Sequence, residues 1–319
     1  MSANGGWSHI ISFSGVSDCT QVMSLVCKAF LRAASALPRS ATFNDVELLG
    51  GVGAFSFDKI RAAHSRFPAL RDVVVDVKGN CFSVVSSSPW VDLGLNQLVP
   101  GLQLLLPQLA AFTSITELDL RDQGLVSFPN SLCALSGLKK LNLYNNKIAA
   151  LPDAIGDLKE LTELHVGLNQ LTALPDTLGA LTGLTELNAY GNKLTTLPDS
   201  IAALTQMKKL ILFGNKFTTL PQPIVKLTSL TELYLSNNQL VTLPDSMAAL
   251  TALETLRLSG NKFTTLPTPI VKITSLTELN LVFNQLVTLP DSVAALTQMK
   301  TLHLSYNKFT TLPKQVHKI

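Results

Sequence analysis

Asparagine returns every 23 residues through the later part of this chain, at Asn146, Asn169, Asn192, Asn215, Asn238, Asn261, Asn284 and Asn307. Around each stands one frame: L-x-L-x-x-N-x-[LIF]-x-x-L-P-x-x-[ILV]-x-x-[LI]-x-x-[LM]. Gln123 holds the Asn slot in an earlier, imperfect copy, so nine copies succeed one another without insertion or deletion. A single copy cannot bury its own leucines. A fixed period of this length therefore directs the chain into a stack of like coils with one continuous core.

The slots of the frame explain one another. Side chains alternate along extended backbone, so both leucines of L-x-L point to one face of a short strand. The Asn comes where the chain leaves the strand. Its amide donates and accepts, which suits it to backbone groups that the turn would strand in the core. The next apolar slot, Phe217, Phe263 and Phe309 in three copies, fills the core again. Leu-Pro opens the return path, where proline fixes φ and no ladder hydrogen bond is needed. Segments such as 199–204 suit one helical or 3₁₀ turn, with Ile201 and Leu204 inward and the alanines outward. Bulky return segments opposite thin strands curve the stack, with the sheet on the concave side.

The frame resembles the leucine-rich repeat in its intracellular form, with Leu-Pro-x-x-Ile return segments, as in Ras-pathway and polarity scaffolds and plant Ras-group repeat proteins. The resemblance covers about two-thirds of the chain, with nine regular repeats over 111–319. It implies an α/β repeat solenoid: a curved horseshoe with a parallel concave sheet that binds a protein partner. The array reaches LPKQVHKI without a polar capping repeat, so the expectation is either a last coil that frays or an array that continues further.

Two successive 46-residue units, Lys216–Asn261 and Lys262–Asn307, differ at eleven positions. The slots facing the concave side are the x of L-x-L and the two positions before Asn, six per unit. Five of these six differ: Tyr234/Asn280, Ser236/Val282, Asn237/Phe283, Arg257/His303 and Gly260/Tyr306. The other 40 positions hold six differences. Change gathered on one face points to recognition rather than drift. All four tyrosines, Tyr144, Tyr190, Tyr234 and Tyr306, occupy such slots, joined by Phe213, Phe283, His165, Arg257 and His303. Tyr and Arg bury a large area with few rotamers and keep a polar tip, so these nine are the candidate partner-binding residues. A column of Glu117, Glu163, Glu186, Glu232 and Glu278 begins many strands and is expected to rim the surface.

Residues 1–110 leave the frame. Over Ile10–Ser35, Asp18-x-x-Gln21 resembles a capping box, and Val22, Leu25, Val26, Phe30 and Ala33 keep helical spacing on one face. Ile10-Ile11-Ser12-Phe13, together with the later Leu25-Val26-Cys27-Lys28-x-Phe30, is similar to an F-box. In that family a small helical bundle docks on the SKP adaptor of cullin–RING ubiquitin ligases and the attached repeats choose the substrate. The resemblance makes 1–42 a small helical F-box-like segment, with Ile10, Ile11, Leu25, Val26 and Phe30 docking the adaptor. The family's Leu-Pro opening is missing and the turn GVSD is short. An amphipathic helix capping the solenoid remains the alternative. Residues 43–110 read as irregular, degenerate repeats, with strands in FNDVELLGG and ALRDVVVDVKGN, a helix over 58–67 and a loop at VSSSPW.

Chemistry is not legible. No Walker, G-x-S-x-G or H-E-x-x-H motif occurs, and GGVGAF lacks the phosphate-binding lysine. Cys19, Cys27, Cys81 and Cys133 have no metal-ligand spacing and read as free thiols of a reducing compartment. The 25 Lys and Arg and 22 Asp and Glu are dispersed, which disfavours nucleic acid. MSANGGWSHIISF lacks a basic n-region and a long apolar run, so no signal peptide is expected, and GLQLLLPQLAAF is too short to span a bilayer. The expectation is a monomeric intracellular recognition protein, cytoplasmic with the nucleus as the alternative, without enzymatic activity, cofactor, metal, nucleic-acid or membrane partner. It is either a ubiquitin-ligase substrate receptor or a signalling scaffold.

Overall fold

The computed structural model describes residues 90–92, 116–122 and 124–310. Ten three-residue strands form one parallel sheet in chain order. They are β1 (Trp90–Asp92), β2 (Glu117–Asp119), β3 (Lys140–Asn142), β4 (Glu163–His165), β5 (Glu186–Asn188), β6 (Lys209–Ile211), β7 (Glu232–Tyr234), β8 (Thr255–Arg257), β9 (Glu278–Asn280) and β10 (Thr301–His303). From β2 onward each strand pairs with the residue 23 positions on, so Leu187 lies beside Leu210 and Leu210 beside Leu233. Equal repeats leave no other register that keeps every leucine inside. The ladder continues beyond the strands: the Ala189 N–H donates to Ile211 O at 2.8 Å and the Gly191 N–H to Phe213 O at 2.9 Å.

Trp90 corrects the loop expected at VSSSPW. It opens β1, which pairs with β2 through Trp90 and Glu117, a step of 27 residues rather than 23. Ser and Pro signal a turn, but a strand can begin directly after a proline, which owes the ladder no donor there. The helix expected from Asp18 onward, the other elements expected before Trp90, Gln123 and the closing LPKQVHKI lie outside the described residues.

The return path is a 3₁₀ turn in every described coil, at Asp199–Ala203 for example. Pro198 enters it in extended conformation, φ −66° and ψ 147°. The Ile201 N–H then donates to Pro198 O and the Leu204 N–H to Ile201 O, at 3.1 and 3.0 Å. Both side chains are fully buried, as are Phe217 and Phe263, while Phe309 in the last described coil is only partly covered.

Between strand and return lies the asparagine ladder. Asn215 Nδ2 donates to Leu212 O in its own coil and to Ala189 O in the coil before, each at 3.0 Å. Its Oδ1 accepts from the Leu194 N–H at 3.0 Å. The same bridging pattern recurs from Asn146 to Asn307. One residue type thus ties each coil to its predecessor where the sheet pairing ends.

Candidate functional site

The solvent side of the sheet carries four columns: the residue before L-x-L, its central x, and the two residues before Asn. Asn or Asp at the central x steadies the backbone as it leaves the strand. Asn142 Oδ1 accepts from the Tyr144 N–H at 3.0 Å and Asn188 Oδ1 from the Tyr190 N–H at 3.3 Å. Such Asx turns fix the backbone that presents both tyrosines.

The nine candidate residues share the face; seven of them form three groups, and His165 and His303 stand outside these. In the first, Tyr190 stacks on Phe213 with centroids 4.3 Å apart. On its other side, Tyr190 reaches across a whole coil to Tyr144, centroids 5.7 Å apart, and the two hydroxyls share a hydrogen bond of 2.5 Å. Gly167 makes this reach possible. It holds the slot between the two tyrosines, and a Cβ there would lie 2.7 Å from Tyr190 Cδ1. The three rings therefore form a ladder over four coils with glycine as part of its floor. Burial first, then the hydrogen bond to Tyr144, pushes the Tyr190 phenol up to about 12, so it is a neutral donor or acceptor at physiological pH.

The second group is Tyr234 with Arg257. The guanidinium carbon lies 5.0 Å from the Tyr234 ring centroid, and Arg257 Nε donates to Glu278 Oε1 at 2.9 Å. Tyr234 donates its hydroxyl proton to Glu232 Oε2 at 2.5 Å. Burial and that carboxylate push its phenol up to about 12. The third group is Phe283 and Tyr306, stacked at 4.3 Å yet 58% and 72% exposed. Both adopt positive φ, 53° and 57°, in a slot filled by Gly191, Gly214 and Gly260 in other coils. His165 stands apart from these rings, with Nε2 3.8 Å from Glu163 Oε2, and His303 is exposed on β10.

The leading column holds more than the glutamates expected to rim the surface. Lys140 and Lys209 occupy the same slot. Lys140 Nζ lies 3.7 Å from Glu117 and 3.2 Å from Glu163, and Lys209 Nζ lies 3.8 Å from both Glu186 and Glu232. The carboxylates, Glu163 foremost, hold the Lys140 ammonium above its usual range. Reading every residue of that slot, rather than its glutamates alone, reveals the lysines in the sequence; the same reading of the next columns finds Gly167.

Among the described residues no cluster of His, Cys, Asp and Glu could hold a metal ion, and no helix is long and apolar enough to cross a membrane. Cys133 is buried and unpaired, its thiol pushed up to about 11 by burial and then by Asp157.

Residues 96–216 match the leucine-rich repeat region family and 215–263 the leucine rich repeat family. Among solved structures, the chain is similar to a leucine-rich repeat protein of Leptospira interrogans at 35% identity and TM-score 0.57, covering 66% of this chain and 60% of that one. It is also similar to the Arabidopsis receptor kinase HAESA, solved with the peptide hormone IDA and a co-receptor. Here identity is 31% and TM-score 0.55, covering 63% of this chain and 36% of that one. An internalin of Listeria monocytogenes shares the fold at 24% identity and TM-score 0.62, covering 81% of this chain and 67% of that one. The chain thus spans less than two-thirds of the length of the first two. No curated protein matches. Frame, sheet, asparagine ladder and family matches agree: the chain is a leucine-rich repeat protein.

Proposed function

We propose that the concave sheet face is a protein-recognition surface and that the chain works by binding rather than catalysis. The observation that carries this reading is the Tyr144–Tyr190–Phe213 ladder: half-buried rings, preorganised by stacking and by a glycine floor, with polar tips. Rigid aromatic area of this kind loses little entropy on binding. The peptide hormone bound in the HAESA complex supports a polypeptide ligand. The remaining candidates, His165, Tyr234, Arg257, Phe283, His303 and Tyr306, extend the same face.

The finer reading is a monomeric, cytoplasmic substrate receptor of a cullin–RING ubiquitin ligase. The F-box-like segment 1–42 docks an SKP-type adaptor, 43–110 continues the solenoid irregularly, and 111–319 selects the substrate. Its support is the Leu25-Val26-Cys27-Lys28-x-Phe30 pattern, and the buried unpaired Cys133 fits a reducing compartment. The Leu-Pro-x-x-Ile frame favours a second reading, a signalling scaffold whose N-terminal segment only caps the solenoid. Co-purification of the full chain with an SKP adaptor separates them. A stoichiometric complex that is lost in Val26→Glu with Phe30→Glu, and kept in Tyr190→Ala with Phe213→Ala, supports the receptor. Absence of any complex with the well-folded full chain leaves the scaffold.

A further inference from the structure

The concave face differs in charge from the chain that carries it. Across its four columns from β2 to β10, the five glutamates of the leading column with Asp119 and Asp122 oppose Lys140, Lys209, Arg121 and Arg257. Seven acids against four bases give the face a net of −3, in a chain whose formal charge is +3.

The excess has a location. Each lysine of the leading column lies between two glutamates, so 117–140–163 and 186–209–232 are two Glu–Lys–Glu triads, each with one surplus negative charge. The triads abut at Glu163 and Glu186, which are direct neighbours in the register of β4 and β5. Two carboxylates side by side across a sheet repel. Four residues further along these strands, about 13 Å at the usual strand rise, stand Gly167 and Tyr190, the middle of the aromatic ladder. The paired carboxylates and the ring of Tyr190, seated over Gly167, therefore lie on the same two neighbouring coils of one face.

We infer that the partner of this face is a basic polypeptide segment. A Lys or Arg side chain sits between Glu163 and Glu186, and an apolar side chain about 13 Å away packs on Tyr190 and Phe213. The cation relieves the carboxylate repulsion, and its field adds to the attraction between a net-negative face and a net-positive ligand. This inference rests on the concave face being the recognition surface, and it names the chemical class of what binds there.

The test is selection of a random linear peptide display library on the full-length protein. Enriched peptides are then titrated into wild type, Glu163→Gln with Glu186→Gln, and Tyr190→Ala with Phe213→Ala. Gln still accepts from the lysines and removes the repulsion, so the first variant keeps its fold; equal melting temperatures check this. The expected result is enrichment of Lys or Arg together with an apolar residue. Affinity should fall about tenfold in the double-Gln variant and weaken between about 0.1 and 1 M salt, as the Debye length shrinks from about 10 to 3 Å. Enriched peptides that lack a cation or bind the double-Gln variant equally well overturn the inference, as does a selection that enriches nothing. If such peptides still lose affinity in the Tyr190–Phe213 variant, the recognition face stands and only the partner class is wrong. Binding indifferent to that variant removes the recognition face itself.

Discussion

Asn215 satisfies two backbone carbonyls and one N–H that belong to two different coils. Alanine at this position strands those groups in the core, at about 1–3 kcal/mol for each that stays unpaired. Asn215→Ala should therefore lower unfolding free energy by about 3 kcal/mol or more in urea denaturation. Phe283 works in the opposite sense. Its φ of 53° is left-handed, and the equivalent slot one unit earlier holds Asn237 at 51°. Asn tolerates that conformation better, by about 1 kcal/mol. Phe283→Asn should raise the melting temperature even though it removes a stacked aromatic pair; a lower melting temperature would disprove the strain argument. Phe283 displays its ring at the expense of backbone comfort, as Leu168 does its side chain at φ 49° and 37% exposure. The phenols give a pH signature. Tyr190 and Tyr234 are raised from the ordinary 10.0 to about 12. Folding therefore favours their protonated forms, and that contribution is complete below pH 10 and lost as pH climbs towards 12. Thermal melts over this range should fall more steeply for wild type than for Tyr190→Phe with Tyr234→Phe.

At the scale of elements, two glycines set how closely coils meet. A Cβ on Gly179 would lie 2.4 Å from the Ser200 carbonyl oxygen, backbone that cannot easily yield. Gly179→Ala should destabilise by about 1–3 kcal/mol through overpacking. Gly167→Ala instead meets the Tyr190 ring, which can lift. It should cost less stability but break the Tyr144–Tyr190 hydrogen bond and lower the phenolate titration of Tyr190. Strands, 3₁₀ returns and the asparagine bridge were legible because the frame repeats the same physical demand in each coil. The ladder was only half legible. Its rings stand out by composition, but its geometry depends on what is missing at Gly167, one coil away. The Glu–Lys–Glu triads were hidden for a related reason, since a cross-coil ion pair is visible only when every residue of a column is read together. Trp90 misled because Ser-Ser-Ser-Pro before it carries turn chemistry, while the pairing that makes it a strand comes from β2.

The whole molecule separates what holds it together from what it presents. Of the six differences between the two 46-residue units that avoid the recognition columns, Leu227/Ile273, Met247/Val293 and Leu253/Met299 lie in the core and exchange one apolar side chain for another. Of the other three, Gln222/Thr268 open return turns, and Ala252/Gln298 and Glu254/Lys300 lie between a return turn and the next strand. The leading column is unchanged between the units, Glu232 with Glu278 and Thr255 with Thr301. A stack whose coils contact only their neighbours can accept new side chains on the sheet face without renegotiating its core. This is how one scaffold comes to carry three aromatic groups and a local excess of negative charge.

The most direct test compares the two faces by titration calorimetry with one binding partner, an enriched peptide or a co-purified protein. Tyr190→Ala with Phe213→Ala removes the centre of the ladder. Val241→Thr with Val287→Thr removes two of the three exposed valines that the described residues hold away from the sheet face, 56% and 44% accessible, and leaves Val126. The expected result is a loss of about 2–4 kcal/mol in binding for the ladder variant, and unchanged affinity for the valine variant. Unchanged binding in the ladder variant, with loss in the valine one, would contradict the concave face as the surface of recognition.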